Sequence, residues 1–355
     1  MRKILRPLLW AFLLVLGASC STRKTATPSR QINSARGRLP RTDSFMTNLL
    51  SAYPQYFDTL IRQNGQWQIQ IIYTEIDRQA GNRPVLTHHY FNVDPRQYFY
   101  PASTVKMPVA ALALQKLNEL QIEGLDKNTT MISGAAAPGQ TPVYNDPTTE
   151  DDRPTIAHYI KKIFLVSDNG AYNRLYEFLG QEYLNNSLHK MGYDSVQLLH
   201  RLQVSLSEEE NRSTNPVSFY DSTGRVIWEQ PLRRSNLPYQ QRRHLLGTGY
   251  MSGNKLVAQP FDFSQKNRFS LTDLHSVLQS LVFPETVPEQ QRFTLTEDDY
   301  RFLYKYMSMK PRESRYPSYD TTYTDAYVKF LLFGGIGSID NPSIRSFNKV
   351  GEAYG

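Results

Sequence analysis

Hydrophobic and polar residues alternate along "QWQIQIIY" at 66–73, placing Trp67, Ile69, Ile71 and Tyr73 on one face, which predicts a β-strand. "LTHHYFNVD" at 86–94 predicts a second strand, with Ala80, Gly81, Asn82 and Pro84 supplying the turn between them. From Ser103 to Leu120 the period changes to that of a helix. Val105, Val109, Leu112, Leu114 and Leu117 leave its first half almost no polar face, so it is expected to be buried. Pro108 lies near its start, where a missing N–H costs least. Further helices are predicted at 155–166, 170–179, 270–283 and 296–308, with Ser270 or Thr272 and Thr296 as N-caps. The stretch "SIRSFNKVGEAYG" reads as a strand over 344–354, and residues 200–265 read as a polar, proline-spotted excursion on the domain surface.

The chain begins with Arg2, Lys3 and Arg6, a short apolar run and small residues leading to Cys20. That is the layout of a secretory signal, too short to be a mature membrane span. "LGASC" resembles a bacterial lipobox, with Gly17 at the position usually held by leucine. Residues 1–20 are therefore expected to be a lipoprotein signal with Cys20 as the lipidated residue, and 21–45 a polar tether. The domain is expected over 46–355. It should be held by a bacterial envelope membrane only through the N-terminal lipid, facing the periplasm or lying on the outer membrane. With a single cysteine in the chain, no intramolecular disulfide is available. The formal charge of +7 includes the three positives of the signal, and what remains is too slight and mixed for a nucleic-acid partner. No zinc spacing, phosphate loop or dinucleotide fingerprint is present, so no cofactor is expected. His88 and His89 alternate across a strand and cannot serve one metal from one face.

Serine three residues before lysine occurs at Ser21, Ser103, Ser187, Ser252 and Ser346, so the spacing alone decides nothing. Only Ser103 opens a strongly apolar helix. There, positions i and i+3 share a face and Lys106 can reach the hydroxyl. Taken alone, Ser103 reads as a cap and Lys106 as a side chain reaching solvent. Ser167, Asp168 and Asn169 sit between two predicted helices, and Lys349, Val350 and Gly351 sit on the predicted terminal strand.

In that order the three motifs, with the flanks "YPASTVKMPVAALAL" and "IKKIFLVSDNGAYNRLYEFLG", resemble the class A β-lactamases and penicillin-binding proteins. The resemblance implies an α+β fold, an antiparallel sheet flanked by helices with a mostly helical subdomain. It implies a monomeric serine hydrolase acting on a β-lactam or a D-Ala-D-Ala-like peptide. A cell-envelope peptidase or esterase and a non-catalytic binding lipoprotein are the alternatives. Ser103 would be the acylated nucleophile and Lys106 its base, with Lys349 as the second cation that lowers the pKa of Lys106. Ser167 would relay a proton, Asn169 would bind Lys106 and the substrate amide, and Asp168 would brace the loop. Lys349, Gly351 and Glu352 would contact substrate, with the backbone N–H groups of Ser103 and Glu352 forming the oxyanion hole.

Three departures qualify that picture. Val350 stands where the family carries a hydroxyl, and Glu352 replaces a small residue. The deacylating glutamate has no match in spacing, leaving Glu208, Glu209 and Glu210 as candidates. The family continues past the lysine-glycine strand with two strands and a helix, so the sequence reads as truncated after Gly355.

Overall fold

The Lys106–Leu120 helix is the axis of the fold because its sequence gives it no face to turn to water. Val105, Val109, Leu112 and Ala113 are wholly inaccessible. The structure, a computed structural model, describes residues 40–334 and 343–353. The axial helix packs against the Ile156–Val166 and Asn169–Leu179 helices, which bring Ile160, Phe164, Leu175 and Phe178 into the same core. The axial helix starts three residues later than expected, after a 3₁₀ turn, and the other four expected helices form within a residue of the predicted bounds, including Leu271–Val282 and Glu297–Ser308. Their caps are chemical. Ser270, rather than Thr272, accepts from the Asp273 N–H, and Thr296 forms a reciprocal capping box with Asp299.

Ile71–Arg78 and Pro84–Phe91 form an antiparallel hairpin, Ile71 opposite Phe91 and Arg78 opposite Pro84, joined by a turn in which Gly81 has φ 74°. The first strand thus starts five residues later than its alternation predicts. Asn64–Trp67 instead close a helical turn, with Gln68 N donating to Asn64 O and Trp67 Nε1 to Gln63 Oε1. Past Phe91 the ladder gives way to side-chain bonds, Asn92 Nδ2 donating to Ile69 O and Asp94 N to Gln70 Oε1, while Val93 pairs with Arg41 instead. His88 and His89 face opposite sides, bonding Thr74 and Glu75 respectively.

Thr130–Ser133, Val217–Tyr220 and Val226–Gln230 form a second antiparallel sheet. Val217 and Phe219 are fully buried, so this part of the expected surface excursion belongs to the core. What remains at the surface is a pair of short hairpins. Leu245–Leu246 pairs with Phe261–Asp262, and Tyr250–Ser252 pairs with Lys255–Val257. Ahead of residue 46 the chain already contacts the hairpin. Arg41 pairs with Val93, and Asp43 caps the Ser44–Ser51 helix while accepting from Tyr90 N.

Residues 343–353 do not form the predicted strand. No strand among the described residues pairs with them, and side chains take the place of a ladder. The Lys329 amine donates to Met307 O, Ser346 O and Asn348 Oδ1, and Asn348 Nδ2 donates to Val328 O. Cys20, the signal and residues 21–39 of the tether lie outside the described residues. Among the described residues no helix is long and apolar enough to cross a membrane.

Candidate active site

Ser103 lies in a 3₁₀ turn, Ala102–Val105, that runs straight into the axial helix. Ala102 immediately before it has φ 45°, a left-handed conformation that costs a non-glycine residue about 1–2 kcal/mol. Strain of this kind persists where the surroundings fix the chain, and here it sets the direction of the serine. One turn on, Lys106 is fully buried. Its amine donates to Ser103 Oγ at 2.9 Å, Asn169 Oδ1 at 2.6 Å and Ser167 Oγ at 3.2 Å, and also to Ser167 O. Four acceptors surround an ammonium that has three hydrogens.

The second motif reaches this amine because of how two helices meet. Ser167 ends Ile156–Val166 in the left-handed conformation, φ 58°, with its N–H returned to Ile163 O. Asp168 caps the next helix by accepting from Ala171 N at 2.7 Å. Its carboxylate is thereby engaged at the junction of the two helices. Asn169 is the first residue of that helix, and its Nδ2 donates to Gln203 Oε1 at 2.7 Å.

The third motif arrives although it is not a strand. Lys349 Nζ donates to Ser167 Oγ at 2.8 Å, so Ser167 stands between two lysines. Gly351 passes so close to the nucleophile's backbone that a Cβ there would lie 2.8 Å from Pro101 O and 3.0 Å from Ser103 N. Only glycine fits that approach. Glu352 follows, exposed on the wall of a cavity of about 430 Å³ that Ser103 also lines.

Burial brings the Lys106 amine down from 10.5 to about 7, and the negative charge of Asp168 works against that fall. The Lys349 amine is held well below the usual range by burial, by the Lys106 charge and then by that of Lys329, and the repulsion between the two amines is mutual. Two ammonium groups sharing one hydroxyl in a dry site cannot both keep their protons.

None of the candidate glutamates lines this cavity. Glu208 pairs with Arg212, Glu209 with Arg234, and Glu210 accepts from Ser207 in a capping box. Three adjacent carboxylates beside two arginines and a serine cap satisfy themselves locally, so they are withdrawn as deacylating groups. The residue that does face the site is Gln203, held at φ 57° and bonded to Asn169. Sequence reasoning missed it, as it missed Lys266, Tyr250, Met251, Phe261 and Phe263 on the same cavity. None of these carries a local spacing signal.

The architecture is a mixed one of antiparallel sheets and helices, with a serine and a buried lysine at the head of its central helix. The chain belongs to the β-lactamase enzyme family, which matches residues 54–319. That stretch contains Ser103, Lys106 and Ser167–Asn169 and ends before Lys349. Among solved structures, the chain is similar to a β-lactamase from Desulfarculus baarsii at 15% identity, with 70% of this chain and 67% of that one covered and a TM-score of 0.36. A class A β-lactamase from Clostridium kluyveri is 14% identical, with 72% and 70% covered and a TM-score of 0.37. No curated protein matches.

Proposed function

We propose that this protein is an acyl-transferring serine hydrolase that opens a β-lactam or a D-Ala-D-Ala-like peptide on Ser103. The observation that carries the reading is the continuous chain of contacts from Ser103 Oγ through Lys106 to Ser167 and Lys349. In the neutral amine, two hydrogens serve Ser167 O and Asn169 Oδ1, leaving the lone pair for the Ser103 hydroxyl. The proton passes from Oγ to Lys106 as Oγ bonds to the carbonyl carbon. The oxyanion is met by the backbone N–H groups of Ser103 and Glu352. The carbon–nitrogen bond then breaks, and the nitrogen takes the proton from Lys106 by way of Ser167, leaving an ester on Ser103. Protonation of Lys349 on arrival of a substrate carboxylate restores the charge that the empty site disfavours.

Release needs water to attack that ester and a base to take its proton. Gln203 has no basicity and the three glutamates are engaged elsewhere, so no carboxylate prepares the water, and Lys106, neutral again after acylation, is the base left beside the ester. This favours a long-lived acyl-enzyme, the behaviour of a penicillin-binding protein, over rapid β-lactam turnover. A fluorescent penicillin should label the protein in a stable 1:1 adduct that Ser103→Ala abolishes, with little turnover of a chromogenic cephalosporin. Fast turnover dependent on Ser103 would restore the β-lactamase reading, and absence of both signals from a folded protein would remove the enzyme reading for β-lactams. We also propose a monomer anchored to the bacterial envelope through lipid on Cys20. Loss of membrane association in Cys20→Ser cells is the test.

A further inference from the structure

The buried Tyr98 sits among positive charges that the acylation chemistry does not use. His244 stacks on its ring at 4.5 Å, and Arg242 stands two residues before that histidine. The Tyr98 hydroxyl donates to Asn267 O, which brings Arg268, the next residue, to the same place. The charges act on one another. Burial and then Arg268 bring Arg242 down to about 10, and burial, Arg268 and Arg242 in that order lower His244, with Asp262 working against them. Backbone bonds hold both segments. Arg268 and Gln197 exchange N–H···O bonds at 2.8 and 3.0 Å, while His244 N donates to Ser264 Oγ and His244 O accepts from Phe263 N.

These cations lack counter-charge. A guanidinium carries five N–H donors, yet among the described residues Arg242 meets only the neutral Gln240 Oε1 and Arg268 only Pro95 O, at 3.2 Å. The carboxylates nearby are engaged elsewhere. Asp94 is forked by Arg96, Asp273 accepts from Ser195 Oγ, and Asp262 accepts from Ser264 N. Two buried nitrogens at the centre of the cluster, Arg268 Nε and His244 Nε2, have no hydrogen-bond partner at all. Buried guanidinium N–H groups without an acceptor are rare in folded proteins, and an oxyanion is the acceptor that two adjacent arginines call for.

We propose that Arg242, His244 and Arg268 form a binding site for a phosphate-class oxyanion, separate from the cavity of Ser103. None of the three lines that cavity, although Phe263, which does, meets Tyr98 at 5.6 Å. All three side chains are half-buried, so they keep access to solvent while shedding part of its screening. The number of donors decides the class of anion. One guanidinium fork saturates the two oxygens of a carboxylate, whereas a tetrahedral phosphate can divide its oxygens between two forks and an imidazole. Its double negative charge also matches the two arginines.

Isothermal titration calorimetry of the full-length protein at fixed ionic strength tests the site, with inorganic phosphate and glycerol 3-phosphate as probes and acetate as the carboxylate control. Phosphate should bind with a Kd of about 1 mM or tighter. Arg242→Gln and Arg268→Gln should each weaken it about tenfold or more, and Arg242→Lys, which keeps the charge and loses the fork, by a smaller factor. Arg243→Gln, an exposed neighbour in the same loop, should bind as the wild type does. Melting curves without the ion check that each variant folds. With phosphate, the melting temperature should rise in the wild type and not in either glutamine variant. Tighter binding of the ester assigns the site to a phosphorylated molecule and tighter binding of the free ion to phosphate itself, and either result upholds it. Absence of phosphate binding by the wild type at about 10 mM means that water alone serves the two nitrogens and overturns the proposal. Equal binding by folded glutamine variants, or tighter binding of acetate than of phosphate, overturns it as well.

Discussion

Lowering the pH should switch acylation off through Lys106, and the size of the effect follows from its burial. An amine at 10.5 would leave about one chain in 3,000 with a neutral base at pH 7. Burial that brings it to about 7 makes the neutral form about half of the population. What burial supplies is a neutral amine at pH 7, a weaker base than a free lysine but one that no longer carries its proton beforehand. The second-order rate constant for labelling by a fluorescent penicillin should therefore rise about tenfold per unit below pH 7 and level off above it. Lys106→Arg, which keeps its proton, should lose labelling by about a thousandfold or more at every pH.

Asp168 supplies a sharper test. Its charge holds the Lys106 proton on, so Asp168→Asn should move the midpoint of the rise to lower pH. Asparagine can still cap the following helix, so the fold is not at stake. A labelling rate that is flat between pH 5.5 and 9, or a midpoint that moves upward in Asp168→Asn, would refute the assignment of Lys106 as the base.

Other perturbations separate the remaining parts. Gly351→Ala puts a methyl 2.8 Å from Pro101 O, and labelling should fall by at least about tenfold while the exposed segment leaves the denaturation midpoint nearly unmoved. Lys329→Met releases Ser346 O and Asn348 Oδ1 from Met307 O; chemical denaturation should show a loss of about 1–3 kcal/mol, and labelling should fall with it because Lys349 is no longer held. Glu177→Gln leaves the buried Arg174 and Arg201 without their shared carboxylate and should cost about 3–5 kcal/mol in the same measurement. Stability should also climb as pH rises from about 7 to about 9, below the range in which the buried tyrosines, raised by the fold, act in the opposite direction. Lys106 and Lys116 are held at about 7 in the fold, so the unfolded chain binds more protons across that window. Lys116→Met should flatten part of the slope, and a decline over the same range would contradict both assignments.

What could be read in the sequence was what one segment decides for itself. Ser103 and Lys106 meet because three residues on a helix share a face, and Asp168 caps because its side chain reaches its own next turn. The strand expectation failed twice, at 66–70, where it rested on alternation, and at 344–353, for one physical reason. The pattern reports which side chains share a face, while a strand exists only if a second backbone takes its N–H and C=O groups. At 66–70 a helical turn satisfied them, and in the described part of 344–353 a buried lysine and an asparagine do part of that work. Gln203 was illegible because its position is set from far along the chain. Arg201, two residues before it, is fixed by Glu177, and Asn169 Nδ2 then donates to the Gln203 amide oxygen. The aromatic lining of the cavity was illegible likewise, since nothing local shows that Tyr250 and Phe263 share a cavity with a serine some 150 positions earlier. The groups proposed to acylate are thus mostly local to two helix starts, whereas the cavity around them is assembled from segments distant in sequence.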